Sequence, residues 1–160
     1  VSISAASQIF AKCLLVAAQT YNVPPAVLMG IHYVEGGKVG MQTGPNVNGT
    51  YDLGPMQVNT IWLPKLMREW RVDRRTAHAW VRDDVCTNVG VAGWILRQKI
   101  NEEGGSLARG IAAYHSKTAW RGKAYLKKVL LSMSRHGLIQ FETRKTVPVI
   151  PAKRLEVSER

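Results

Sequence analysis

One carboxylate in this chain stands where a charge is least welcome. Glu35 shares a helical face with Leu28, Ile31 and His32 and is followed at once by Gly36-Gly37, a pair that stops helices. An acid on an apolar stripe loses hydration, which disfavours its charged form. The last turn of a helix also carries partial negative charge and repels an anion. Both effects raise the pKa and favour a proton donor near neutral pH, as cleavage of a glycosidic bond by general-acid catalysis requires. On position alone, the alternative is a glutamate at a frayed helix end, pointing to solvent.

Two later stretches carry groups suited to sugars. GPMQVN (54–59) supplies Met56, Gln57 and Asn59, and IAAYHS (111–116) supplies Tyr114 and His115. Amides suit sugar hydroxyls, and aromatic faces suit the apolar faces of sugar rings. Each has a plainer reading: Met56 and Tyr114 as core, Asn59 as a helix N-cap. Asp52 precedes the first stretch. Most glycosidases use two carboxylates, which makes Asp52 the candidate partner of Glu35; its structural alternative is an aspartate bonding nearby backbone N–H groups. The four histidines form no HxxxH-type pair, and two cysteines exclude a zinc knuckle or a CxxC motif. No metal and no cofactor is expected. Cys13 and Cys86 lie in separate helical patterns, either as buried thiols or, the preferred reading, as a disulfide formed in an oxidising compartment.

The elements that would position these groups are mostly helical. A first helix spans about 4–20, with Ile9, Phe10, Cys13, Leu14 and Ala17 at steps of three and four. Pro24-Pro25 opens the helix that carries Glu35. Between 38 and 53 the helical rhythm stops, and Asn48-Gly49 marks a small irregular β-hairpin. A short helix holding Trp62 and Leu66 follows. Asp73, Asp84 and Ser106 read as N-caps of three further helices, and a last amphipathic helix, about 120–135, aligns Leu126, Leu130 and Met133. The expected fold is mainly α, one helical domain over 1–140 with a small β-hairpin insertion. Residues 141–160 read as an extended basic tail.

Composition narrows the partners. With 46% hydrophobic and 21% charged residues the chain is a soluble globular protein. No apolar run reaches the roughly 20 residues of a bilayer span, and no leader pattern opens it, so an export signal would already be gone. A net charge of +11 favours polyanionic partners: nucleic acid, anionic lipid or a carboxylate-rich cell wall. Nucleic acid is not expected, because the basic residues are scattered and no recognition motif accompanies them.

Glu35-Gly36-Gly37, GPMQVN and Ala113-Tyr114-His115 occur in the order and approximate spacing of the lytic transglycosylases of the soluble-transglycosylase, goose-type-lysozyme-like class. The resemblance covers about 8–136. Its nearest branch is the VirB1-like enzymes of type IV secretion, conjugation and pilus systems. It implies an α+β lysozyme-like fold whose β-hairpin flanks the substrate groove, and a periplasmic enzyme that cleaves the MurNAc–GlcNAc bond of peptidoglycan and leaves a 1,6-anhydroMurNAc end. Glu35 would be the single acid and base. Gln57 and Asn59 would contact sugar and shape the groove, Met56 would form part of its floor, and Tyr114 would steady the Glu35 carboxyl, with His115 beside it. The sequence departs from the family pattern at Gly36, where serine is usual, at Pro55 for leucine, and at His115 for asparagine. The resemblance favours the structural reading of Asp52. A water-using muramidase, including a phage-borne one, and a non-catalytic wall-binding or scaffold subunit of secretion machinery are the competing readings.

Overall fold

The computed structural model describes residues 4–140; the expected tail at 141–160 lies outside them. Among the described residues the chain forms seven α-helices and three short strands: α1 Ala5–Tyr21, α2 Pro25–Glu35, β1 Gln42–Thr43, β2 Asp52–Leu53, β3 Val58–Asn59, α3 Leu63–Trp70, α4 Arg74–Asp83, α5 Val85–Glu102, α6 Leu107–His115 and α7 Ala119–Arg135. A 3-10 turn, Thr60–Trp62, links β3 to α3. The mainly helical expectation holds.

Polar caps start several of these helices where the sequence places them. Asp73 accepts from Thr76 N–H at 2.7 Å, Asp84 from Thr87 N–H at 2.7 Å, and Ser106 from Arg109 N–H at 3.3 Å. The core is then one apolar cluster built from α1, α2 and α5, closed by residues of the sheet, α3, α4, α6 and α7. Cys13 of α1 and Cys86 of α5 form a disulfide with Cα atoms 4.8 Å apart. A closed loop of this length stabilises the fold by about 4 kcal/mol in the chain-entropy model.

Two expectations change. The β insertion is a three-stranded antiparallel sheet in the order β1-β2-β3, pairing Thr43 with Asp52 and Asp52 with Asn59. Its third strand comes from GPMQVN itself. Two-residue strands carry no readable alternation, so periodicity could not reveal this one. In α7 the buried face is Gly122, Tyr125, Val129 and Met133; of the expected stripe Met133 is buried, while Leu126 and Leu130 lie partly buried at its edge. The true stripe runs at steps of three, four and four, one residue away from the leucines.

That rotation of α7 matters because α7 packs on α2. A side chain at Gly30 would place its Cβ 2.5 Å from Met133 Cγ and 3.3 Å from Val129 Cγ1, so side chains of α7 pack directly on the backbone of α2 there. Five residues further along α2 and four back from Val129 on α7, Glu35 meets Tyr125. The two helices therefore run antiparallel, and their close approach brings the acid to its partner.

Candidate active site

Glu35 is the last residue of α2, whose chain is turned out of the helix by Gly36 in the left-handed conformation. Gly37 then lies against the sheet turn: a Cβ there would stand 2.1 Å from Gly54 O and 2.9 Å from Gln57 Nε2. Only glycine fits, and it presses the end of α2 onto GPMQVN. His32, one turn before Glu35, adds a second tie by donating from Nδ1 to the Pro55 carbonyl at 3.0 Å.

The turn is held from behind by a residue the sequence reading did not single out. Asn88 of α5 is fully buried. Its Nδ2 donates to Leu53 O and Val81 O, both at 2.8 Å, and its Oδ1 accepts from Met56 N–H at 2.7 Å. A buried amide with three bonds fixes the loop as a packed side chain could not, because it ties backbone groups of the turn, of β2 and of α4 to one point in fixed directions. An asparagine just before Val89, within the apolar stretch of α5, was the available signal.

Glu35 faces a groove of about 710 Å³ between the sheet and the helices α5, α6 and α7. Asn46, Asn48, Thr50, Asp52, Gln57 and Asn59 line its sheet side, and Tyr114 and His115 line its helical side with three cations. Glu35 is half-buried. Desolvation raises its pKa above the ordinary value; the Tyr125 hydroxyl works against this, the Asp52 charge adds to it, and Lys128 opposes it. The net shift is toward the protonated form, the direction expected for a carboxyl on an apolar helical face.

Tyr125 donates to Glu35 Oε1 at 2.6 Å. With Oε1 occupied as an acceptor, the acidic proton belongs on Oε2. Burial and the neighbouring Glu35 push the tyrosine hydroxyl far above its ordinary pKa, so it remains a donor throughout the working range. This corrects the expectation that Tyr114 steadies the carboxyl. Tyr114 stacks on Tyr125, with ring centroids 6.3 Å apart at 18°, and burial likewise raises its hydroxyl. His115 stacks on Tyr125 more closely, at 4.6 Å and 6°. Loss of hydration lowers the pKa of His115, and Lys128 lowers it further.

The remaining predicted residues divide. Gln57 lines the groove with positive φ, and its Nε2 donates to Gly54 O at 2.9 Å, leaving its carbonyl oxygen available to a ligand. Asn59 lines the groove and also caps the 3-10 turn through Ile61 N–H at 2.9 Å. Its Nδ2 is committed to Thr50 Oγ1 at 3.0 Å and Asp52 Oδ1 at 2.8 Å. Met56 is 0% exposed and lies in the core, so the expected floor contact is corrected: the amide clamp from Asn88 draws its backbone inward. Asp52 lines the groove and takes amide N–H groups from Asn59 and, at 2.9 Å, from Asn46. It bonds side-chain amides, where the sequence suggested backbone N–H groups.

A carboxyl with a raised pKa, in an open groove between an amide-lined sheet and aromatic helices, is equipped to cleave a polysaccharide. The profile of the transglycosylase SLT domain matches residues 12–129. The chain belongs to that family. The match begins in α1 and ends in α7, enclosing Glu35, GPMQVN and Tyr125. A search of curated proteins found no match. As an SLT-domain protein the chain is a lytic transglycosylase, a lyase acting on peptidoglycan. In this transglycosylase the carboxyl, its tyrosine donor and the sheet turn come from three separate parts of the sequence, and close packing at the bare backbones of Gly30 and Gly37 brings them together.

Proposed function

We propose that this enzyme cleaves the β-1,4 bond between MurNAc and GlcNAc with Glu35 as its one acid and base. Glu35 gives its proton to the glycosidic oxygen, and the bond opens through an oxocarbenium-like state. The substrate's own 2-acetamido group supports the cation, as in the substrate-assisted exceptions to two-carboxylate catalysis. Glu35, now ionised, takes the proton of the C6 hydroxyl, whose oxygen closes onto C1. The product is a 1,6-anhydroMurNAc end, and no water is consumed. Tyr125 serves both halves by donating to Oε1 whichever charge state Glu35 holds. Gln57, Asn59, Tyr114 and His115 are the groups assigned to sugar contact.

The observation that carries this reading is the half-buried Glu35 carboxyl, bonded by Tyr125 at 2.6 Å and facing the groove. Purified sacculi digested with the enzyme should release muropeptides with anhydro ends by mass spectrometry. A sacculus left intact would sink the proposal. Asp52 in the same groove supports a hydrolytic alternative, in which it assists a water; reducing ends in that digest would select it.

The cellular setting follows from the motif resemblance to VirB1-like enzymes. The enzyme would act in the periplasm, opening local gaps in the wall for a type IV secretion, conjugation or pilus apparatus. Replacing it with Glu35→Gln should depress substrate or DNA transfer by its parent apparatus; unchanged transfer would remove this role and leave the chemistry standing.

A further inference from the structure

The helical side of the groove carries charge that the cleavage chemistry does not use. Lys99 of α5, Lys117 of the α6–α7 connection and Arg121 in the first turn of α7 all line it. Lys99 is paired with Glu102 at 2.7 Å. Among the described residues, neither Lys117 nor Arg121 has a carboxylate within ion-pair reach. Lys128 is close enough for its charge to act on both Glu35 and His115, which extends the positive field along this side.

The opposite side differs in kind. Asn46, Asn48, Thr50 and Asn59 are neutral donors and acceptors, and the one charge there, Asp52, is already bonded by two amides. A glycan backbone offers hydroxyls and acetamides, which the neutral side suits. Nothing in that backbone calls for two cations that lack a carboxylate partner; Arg121 lies over the Trp120 ring, 5.2 Å from its centroid, a contact that leaves its N–H donors without an anion. The carboxylates of peptidoglycan lie off the sugar chain, on the peptide stems joined to its lactyl groups. A strand seated with its sugars against the sheet would direct those stems toward α6 and α7.

We infer that Lys117 and Arg121 form a subsite for peptide-stem carboxylates, so that the enzyme prefers strands bearing free stems over bare glycan. The inference rests on the transglycosylase reading and specifies its substrate. The guanidinium of Arg121 suits a carboxylate through paired N–H donors, and Lys117 adds a point charge. Both side chains are exposed, and exposed ion pairs are individually weak. The preference should therefore be about five- to tenfold.

The test uses soluble, uncross-linked strands in three forms: stems intact, stems removed by an amidase, and stem carboxylates converted to amides. Wild-type kcat/KM should fall about five- to tenfold on the second and third. In the Lys117→Gln/Arg121→Gln double variant, with its melting temperature checked against wild type, the ratio between polymers should approach one. Equal wild-type rates on all three polymers, or a ratio unchanged in the double variant, would overturn the subsite. A wild-type enzyme inert on every polymer would overturn the cleavage reading instead. Binding of the Glu35→Gln protein to the same polymers would then decide the subsite, which tighter binding to free-carboxyl stems supports and equal binding refutes.

Discussion

The two sides of the groove reach their shapes by different physics. The helical side is ordinary packing: apolar stripes of α1, α2, α5 and α7 meet in a closed core, and one disulfide fixes α1 to α5. The sheet side has strands of two residues each and owes its form to side-chain amides: Asn88 from below, Asn46 and Asn59 across Asp52. Hydrophobic burial is tolerant of direction, whereas each of these amides has one arrangement that satisfies it. The enzyme thus sets its acid on a rigid packed element and faces it with a surface held by a few directional bonds. Substitutions on the two sides should fail in different ways.

The largest effect should come where the two meet. Glu35→Gln is expected to lower turnover by about a thousandfold or more, within the range that general-acid catalysis supplies, measured as release of soluble muropeptides. It should also melt higher than wild type at neutral pH. A carboxyl whose folded pKa is raised contributes stability below its unfolded pKa and loses that contribution as pH rises through the folded value. Glutamine has no proton to lose. A variant that is inactive and less stable would contradict this account of the burial.

Next come two stability changes that separate the sides. Cys13→Ser with Cys86→Ser should cost about 4 kcal/mol in denaturant unfolding, with the whole chain losing stability together. Asn88→Leu should cost about 2–3 kcal/mol, because it orphans the Met56 N–H and strips the Leu53 and Val81 carbonyls of a donor. Its signature is local. Amide exchange should accelerate across 52–59 while α1 and α5 keep their protection. Uniform acceleration in both variants would erase the distinction between the two sides.

Tyr125→Phe should have the smallest effect, about a tenfold loss of kcat/KM, by removing one hydrogen bond to a group that changes charge. Its pH profile is the sharper measurement. The tyrosine hydroxyl lowers the Glu35 pKa, so its loss should raise that pKa further. The alkaline limb of the rate profile, where the acid loses its proton, should move to higher pH. Tyr114→Phe should leave the limb in place; if it shifts the limb and Tyr125→Phe does not, the assignment of the donor is reversed.

The same contrast explains what could be read before the fold was seen. Glu35 was legible because an apolar helical period and a glycine pair leave one position for a carboxylate, and capped helices followed from Asp73, Asp84 and Ser106 for the same local reason. Asn88 was not, since two of its three partners are 32 and 35 residues away and its type breaks the apolar pattern. Tyr125 was hidden by a one-residue ambiguity in α7: the Leu126–Leu130 stripe is the more apolar, yet contact with α2 selects the neighbouring face. Met56 takes the core reading that stood beside its floor role, because a motif fixes the order of residues and leaves open which of them turn inward.

Gly37 has a bearing on how this groove can change. Since main chain touches main chain there, the reach from acid to facing wall is a ruler made of atoms common to every amino acid. Lining side chains can then be exchanged, retuning which strands are accepted, while the proton is still delivered from the same spot.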